Sequence, residues 1–316
     1  MYRPEIKVLD CTIRDGGLVN DSHFDMEMVR AVYKAMCEAG LDYVELGYRN
    51  SPKMFDRAQY GPWRFCDEED LRRATDGIDP GDTKISIMMD AHKSFPDDLL
   101  PKEKSVVDMV RVATYVRDVN KAIRQAKDAV AKGYECTINI MAISKEGPPF
   151  LDEALQQIQE ETEVVAVYPV DSFGALYSES VHYLVEKFQM YLKDKDIGAH
   201  FHNAQQLAFA NTIEAAIKGA NYLDGTLYGL GRGAGNCPLE LLLAFLKNPK
   251  FNIVPVLEIV GKFIIPLREK IKWGYYIPYM LSGILDRHPL DAMKWQLSPQ
   301  EHDYVAFYNE ITEEDD

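Results

Sequence analysis

The sequence predicts an α/β protein of the (β/α)8, or TIM-barrel, class with a C-terminal helical appendage. Three observations carry that prediction. Eight short β-branched or apolar runs recur with helical segments between them. The chain has 316 residues, enough for one barrel of ordinary size. Its chemistry-bearing residues stand at the ends of those runs, where barrels and open α/β sheets place their sites. Counting runs does not establish closure, so a doubly wound sheet is the alternative.

The eight runs are Ile6–Leu9, Tyr43–Leu46, Ile85–Met88, Val110–Val112, Thr137–Met141, Val164–Val170, Ile197–Phe201 and Tyr222–Leu227. Asp25 to Ala39 repeats apolar residues at helical spacing (Met28, Val29, Val32, Met36) and stops at Gly40. Asp118 to Ala131 stops before Gly133, and Ala204 to Lys218 stops at Gly219. The stretch Asn50 to Asp82 is rich in Pro, Gly and aromatic residues and reads as a lid-like loop or a surface insertion. Residues 1–248 are therefore expected to form the barrel. Residues 249–316, with breaks at Pro255, Pro266, Pro278 and Pro289, are expected to form the helical region.

The totals exclude several classes. The net charge is −15, from 35 basic and 50 acidic residues, which argues against nucleic acid or an anionic membrane as partner. Part of the excess lies in Glu310 to Asp316, expected to be a solvated, frayed end. No apolar run approaches membrane-spanning length and no signal peptide is evident. Cys11, Cys37, Cys66, Cys136 and Cys237 are scattered, as expected of reduced thiols in a cytoplasmic protein, and Cys237 is read as inert.

The most telling segment is Gly198-Ala199-His200-Phe201-His202-Asn203. Alternation along a strand turns His200 and His202 to one face, able to grip a single metal ion, and leaves Phe201 to the other. The first run ends in Asp10-Cys11-Thr12-Ile13-Arg14-Asp15-Gly16-Gly17. There a carboxylate suits a hard cation, and the adjacent guanidinium suits charge building on a substrate. After the last run, Gly229 to Glu240 is a glycine-rich loop presenting Asn236. It fits a dinucleotide fingerprint only loosely, and the βα unit that such a motif needs does not follow. Asp15, His200, His202 and Asn236 together form a catalytic-type site for Mn2+, Mg2+, Zn2+ or Fe2+. His92, His182, His288 and His302 lack partners at ligand spacing and read as surface or packing residues. Asp171 and Ser172, at the end of the sixth run, read as substrate-binding residues.

From Val8 to Phe245 the chain resembles the pyruvate-carboxyltransferase-like metal-dependent barrels: 4-hydroxy-2-oxovalerate aldolase, hydroxymethylglutaryl-CoA lyase and isopropylmalate synthase. The motifs that carry the likeness are Arg14-Asp15-Gly16, His200-Phe201-His202-Asn203 and Gly233-Ala234-Gly235-Asn236. Met109 to Thr114 and Val170 to Ala175 resemble the aldolases in particular. The resemblance implies that Asp15, His200 and His202 hold the divalent ion, that Asn236 joins them, that Arg14 stabilises an enolate and that Glu45 orients Arg14. It departs at one point. The aldolases carry an acid–base histidine after Arg-Asp-Gly, and the matching residue here is Leu18, which leaves His23 or a metal-bound water to take the proton. The segment Gly274 to Tyr279 resembles the aldolase tail that offers a tyrosine, here Tyr276.

The expected function is a metal-dependent lyase making or breaking a carbon–carbon bond beside a 2-oxo acid such as pyruvate. Mn2+ or Mg2+ is the first expectation and Zn2+ or Fe2+ the second. An acyl-CoA-dependent enzyme of the same superfamily and a binding or scaffold barrel are the alternatives. A homodimer is expected, and the resemblance also implies an aldehyde dehydrogenase as partner.

Overall fold

A computed structural model describes residues 3–313. Eight parallel strands form a closed ring: β1 (Lys7–Asp10), β2 (Tyr43–Tyr48), β3 (Lys84–Asp90), β4 (Met109–Thr114), β5 (Glu135–Ile140), β6 (Ala166–Asp171), β7 (Asp196–Phe201) and β8 (Tyr222–Gly225). The pairing of β1 with β8, Leu9 opposite Asp224 and Asp10 opposite Gly225, closes the barrel and rules out the doubly wound sheet. Eight helices follow the strands: α1 (Thr12–Gly16), α2 (Met26–Ala39), α3 (Glu68–Thr75), α4 (Val119–Ala131), α5 (Pro148–Glu161), α6 (Ser178–Tyr191), α7 (Ala208–Lys218) and α8 (Leu239–Leu246). Helix α2 starts where the Asp25 side chain accepts from the Met28 amide, and it ends at Gly40 in the left-handed region.

Strand alternation sorts the residues. Outward-facing Val8, Val44, Val110, Ile138, Ala199 and Phe201 join the helices in the main core. Inward-facing Leu9, Cys11, Tyr43, Met109, Tyr168 and Tyr222 fill the lower barrel. Each large apolar side chain so buried contributes about 1.5–3 kcal/mol. Above them, inward-facing Glu45, Arg111, His200 and Asp224 make a buried polar layer. Gly198 makes room for the packing below: a Cβ there would lie 2.3 Å from the Tyr168 ring, a clash that only glycine avoids.

Two expectations are corrected here. The stretch from Asn50 to Asp82 is not simply a loop, because it contains helix α3. That helix is so polar that only Leu71 and Ala74 are buried, and its apolar periodicity is correspondingly faint. At the C-terminus, the expected frayed end includes part of α13 (Tyr304–Glu313), whose Phe307 and Ile311 are buried against Trp295. Residues 314–316 lie outside the described residues. Before α13 come α9 (Ile253–Ile259), a π-helical turn at Val260–Ile264, α10 (Ile265–Arg268), α11 (Ile277–Ile284) and α12 (Leu290–Gln296). Pro278 opens α11, where a missing amide costs nothing, and Pro266 directly follows the π-helical turn with helical backbone on both sides, so neither ends a helix. Helix α9 packs on α2, and Val256, Ile259 and Ile264 belong to the barrel's main core. Tyr279, Ala292, Trp295 and Phe307 form a separate cluster with Ala204 and Ala234, beside the loops that follow β7 and β8.

Candidate metal centre and active site

The site is built at the C-terminal ends of the strands, starting with the turn that follows β1. Thr12 bonds the Asp10 carboxylate through its hydroxyl, and that hydroxyl in turn accepts from the Leu227 amide at 2.8 Å. The turn sets α1 so that Arg14 and Asp15 both point into the barrel mouth, 5% and 0% exposed. Arg14 NH1 donates to Asp15 Oδ2 and Arg14 Nε to Glu45 Oε2, both at 2.7 Å.

His200 and His202 arrive from β7 on the same side as Asp15. His200 Nε2 lies 3.2 Å and His202 Nε2 3.9 Å from Asp15 Oδ2. Their other nitrogens settle the tautomers. His200 Nδ1 is 2.8 Å from the Asp224 carboxylate, and His202 Nδ1 is 2.9 Å from the backbone carbonyl of Asp171. A carboxylate and a carbonyl only accept, so both Nδ1 atoms carry a proton. The His202 Nε2 lone pair is then free, and the His200 Nε2 lone pair becomes so when a cation replaces the proton paired with Asp15. Neither Nε2 has a hydrogen-bond partner among the described residues, and Asn236 Oδ1 is equally orphaned. Asn236 sits beside His202 through a backbone bridge, and its Nδ2 donates to the Leu230 carbonyl at 3.2 Å, which fixes Oδ1 as the free end. Buried acceptors without donors are costly unless a cation satisfies them. Gly231 keeps this space open: a Cβ there would lie 2.1 Å from Asn236 Nδ2 and 3.1 Å from Asp15 Oδ1.

Electrostatics favour the same reading. Burial opposes the Asp15 charge, but Arg14 and the two histidines outweigh it and hold the carboxyl well below the usual range. Burial pushes the His202 pKa down to about 3, so that imidazole is neutral and free to coordinate. Burial opposes a charge on His200 too, but the Asp15 and Asp224 carboxylates outweigh it and raise its pKa, so a cation bound there displaces that proton. The donor set of one carboxylate, two imidazoles and an amide oxygen fits a divalent cation. A deeper convergence of Cys11, His200 and Asp224 does not. Burial raises the Cys11 thiol pKa, and Asp224 Oδ2 is already taken by His200 and, at 2.5 Å, by Arg111.

Arg111 ties the layer together. It is fully buried, pairs with Asp224 and with Glu45 at 3.0 Å, and lies 4.7 Å from the centroid of the Tyr168 ring. Asp224 thereby holds His200 at its second nitrogen, and such outer partners typically tune metal affinity by about 10–100-fold. Asp224→Asn is expected to weaken Mn2+ binding by about that factor while His200 remains in place, as read by metal titration.

The other sequence candidates divide. Glu45 Oε2 accepts from Arg14 Nε, and Ser172 lines the cavity, its hydroxyl accepting from the Ala142 amide at 2.8 Å. Asp171 does not face the substrate space. Both its carboxylate oxygens cap the turn, accepting from Ala175 at 2.9 Å and Leu176 at 3.1 Å, so only its carbonyl serves the site. His23 is exposed, and its Nε2 sits 2.9 Å from the Gln59 carbonyl, outside the cavity. Tyr276 is turned away too, its hydroxyl donating to the Glu301 carbonyl.

The cavity above Asp15 has a volume of about 190 Å³. Leu18, Tyr48, Arg64, Arg232 and His288 help line it. Of these five, the sequence points to the site only through Leu18, at the place of the missing histidine. His288, expected from the sequence to be a surface or packing residue, stands at the mouth with Nε2 3.2 Å from Arg232 NH1. Partial burial and the Arg232 charge lower its pKa to about 4.

Residues 5–258 match the HMGL-like family model. The chain belongs to the HMGL-like family. Among curated relatives, 4-hydroxy-2-oxovalerate aldolase of Thermus thermophilus is 29% identical, over 85% of this chain and 80% of that protein. Oxaloacetate decarboxylase of Mycobacterium tuberculosis is 31% identical, over 76% of this chain and 70% of that protein. Among solved structures, the N-terminal domain of a presumed aldolase from Bacteroides vulgatus superimposes with a TM-score of 0.83 at 32% identity, covering 95% of this chain and 100% of that one. HMGL-like membership agrees with the resemblance carried by the Arg-Asp-Gly and His-Phe-His motifs. No helix among the described residues is long and apolar enough to cross a membrane.

Proposed function

We propose that this HMGL-like protein is a divalent-metal-dependent carbon–carbon lyase of the pyruvate-aldolase type. One observation carries the reading: the Nε2 atoms of His200 and His202 converge on Asp15, with the Arg14 guanidinium 2.7 Å from the same carboxylate and the orphaned oxygen of Asn236 on the loop bridged to His202. Two oxygen donors beside two imidazoles favour Mn2+ or Mg2+, with Zn2+ or Fe2+ the next choices. An ion held there supplies Lewis-acid polarisation of a 2-oxo group.

This chain's own residues supply the rest. Arg14, anchored by Glu45, donates to the oxygen on which enolate charge develops. For a 4-hydroxy-2-oxo acid, the hydroxyl proton leaves to solvent at the open cavity mouth, because the His288 imidazole there has its Nδ1 lone pair taken by the Leu290 amide at 3.1 Å and its Nε2 set against Arg232. The O–H electron pair becomes the aldehyde carbonyl, and the carbon–carbon pair moves into the enolate. A solvent proton on the enolate carbon then releases the 2-oxo acid.

The test omits the aldehyde half. Pyruvate and Mn2+ in heavy water, followed by proton NMR, are expected to lose the methyl signal at a rate proportional to protein. Exchange no faster than in buffer, with Mn2+ demonstrably bound, overturns the proposal.

A further inference from the structure

Arg64 is 7% exposed and lines the cavity, yet its guanidinium forms no hydrogen bond or ion pair among the described residues. It sits in the 3-10 turn Pro62–Arg64 that follows β2, within a box of aromatic rings: Tyr60 at 4.9 Å, Tyr48 at 5.1 Å and Phe55 at 5.3 Å from centroid to Cζ. The rings soften the burial of the charge and hold its plane, but they do not neutralise it. Nearby charges on that side are matched. Asp90 meets Lys93 at 3.0 Å, Arg49 meets Glu68 at 2.9 Å, and Arg14 meets Asp15 and Glu45.

The cavity holds a second guanidinium without a carboxylate among the described residues, Arg232. Its backbone amide is 3.5 Å from Asp15 Oδ1, its NH2 reaches the Ser172 carbonyl at 3.4 Å, and its Nε is unsatisfied. The two arginines come from different parts of the ring, Arg232 in the loop after β8 and Arg64 after β2. Between them stand Asp15, Arg14 and the Tyr48 ring, which is 5.9 Å from Arg14 and 5.1 Å from Arg64. A simple 2-oxo acid carries one carboxylate, and Arg232, whose amide lies 3.5 Å from Asp15 Oδ1, is the cavity arginine placed beside the candidate metal ligands to receive it. Nothing in that fragment meets Arg64.

We infer that Arg64 is the receptor for a second anionic group, so that the substrate of this site is a 2-oxo diacid whose distal carboxylate lies beyond Tyr48. The inference rests on the lyase reading only for the placement of the 2-oxo end. A planar guanidinium with its forked donors free is suited to a carboxylate held through two parallel hydrogen bonds. Asn50 stands beside it, 2% exposed and lining the same cavity.

The test compares two acids of equal length that differ in the distal end, 2-oxopentanedioate and 2-oxopentanoate, binding to the Mn2+-loaded full chain by calorimetry. The diacid is expected to bind at least ~30-fold more tightly to the wild type, the range of a charge-assisted pair. Arg64→Gln is expected to bring the two acids within ~3-fold of each other without changing the affinity for 2-oxopentanoate. Arg64→Lys, which keeps the charge in the same box, is expected to retain part of the preference and guards against loss of the fold. Equal binding of both acids by the wild type overturns the inference, as does an Arg64→Gln change that weakens both alike, the mark of a purely structural arginine. Failure of the diacid to bind overturns it too, whereas monoacid binding too weak to detect beside diacid binding supports it. Pyruvate methyl exchange separates the two readings: exchange with no diacid preference removes the Arg64 assignment alone, whereas absent exchange removes the lyase.

Discussion

His202→Ala protein is expected to bind Mn2+ at least ~10³-fold more weakly than wild type and to exchange pyruvate protons no faster than buffer. Loss of a partner behind a ligand already costs about 10–100-fold, and loss of the ligand itself must cost more. His202 meets the Asp171 carbonyl at 2.9 Å and otherwise faces the open site, so the fold is expected to lose only about 1 kcal/mol. Two measurements therefore separate the causes. Chemical unfolding of the metal-free proteins should nearly coincide. Thermal unfolding with Mn2+ should separate them, because ligand at about a hundred times its dissociation constant stabilises the wild type by about 2.7 kcal/mol and the variant hardly at all. If the His202→Ala protein still gained the full stabilisation, the ion would be binding elsewhere, and the case for chemistry at this mouth would fall with it.

What could be read from the chain depended on how far apart the cooperating residues are. Two-residue alternation in β7 is a local property, so the shared face of His200 and His202, with Phe201 in the outer core, follows from a short stretch of sequence. Arg14 and Asp15 were legible for the same reason, being neighbours at a strand's end. Arg111 and Asp224 were not, because they meet across the barrel from β4 and β8, 113 residues apart, and only closure brings them together. Arg64 was hidden differently. The aromatic run from Tyr60 to Phe65 was visible, but nothing local says that its arginine turns inward while Trp63 goes to the core, its Nε1 bonded to the Phe24 carbonyl at 2.9 Å. His288 is the exposed residue that its sequence context suggests, and it lines the mouth as well. It has no ligand-spaced partner in sequence, and it reaches the mouth because α11 and α12 pack their own small core around Tyr279 and Trp295. Local neighbours misled equally: His23 follows the Arg-Asp-Gly turn by a few residues, yet Asp21 and Ser22 take positive φ of 52° and 65° and swing it onto Gln59.

Arg14→Gln is expected to lower kcat for cleavage by about 10²–10³ while KM stays within a few-fold, the pattern of a group that acts on charge appearing only in the transition state. The geometry gives the reason. Arg14 is already engaged with Asp15 and Glu45 before substrate arrives, so its remaining donor capacity is oriented without further reorganisation. Stability should fall too. Removing one partner of a buried ionic group costs about 3–5 kcal/mol, because Asp15 loses its nearest counter-charge while Glu45 keeps Arg111. A divalent ion on Asp15 restores part of that loss. The variant is therefore expected to gain more from Mn2+ in denaturant unfolding than wild type does. That excess gain distinguishes an arginine that balances a metal-ligand carboxylate from one that merely fills space. If kcat were unchanged and KM alone rose, Arg14 would be a binding residue for the substrate's ground state. Stabilisation of the enolate would then have to be sought in another donor at the mouth, and Arg232 stands near Asp15 through its amide at 3.5 Å.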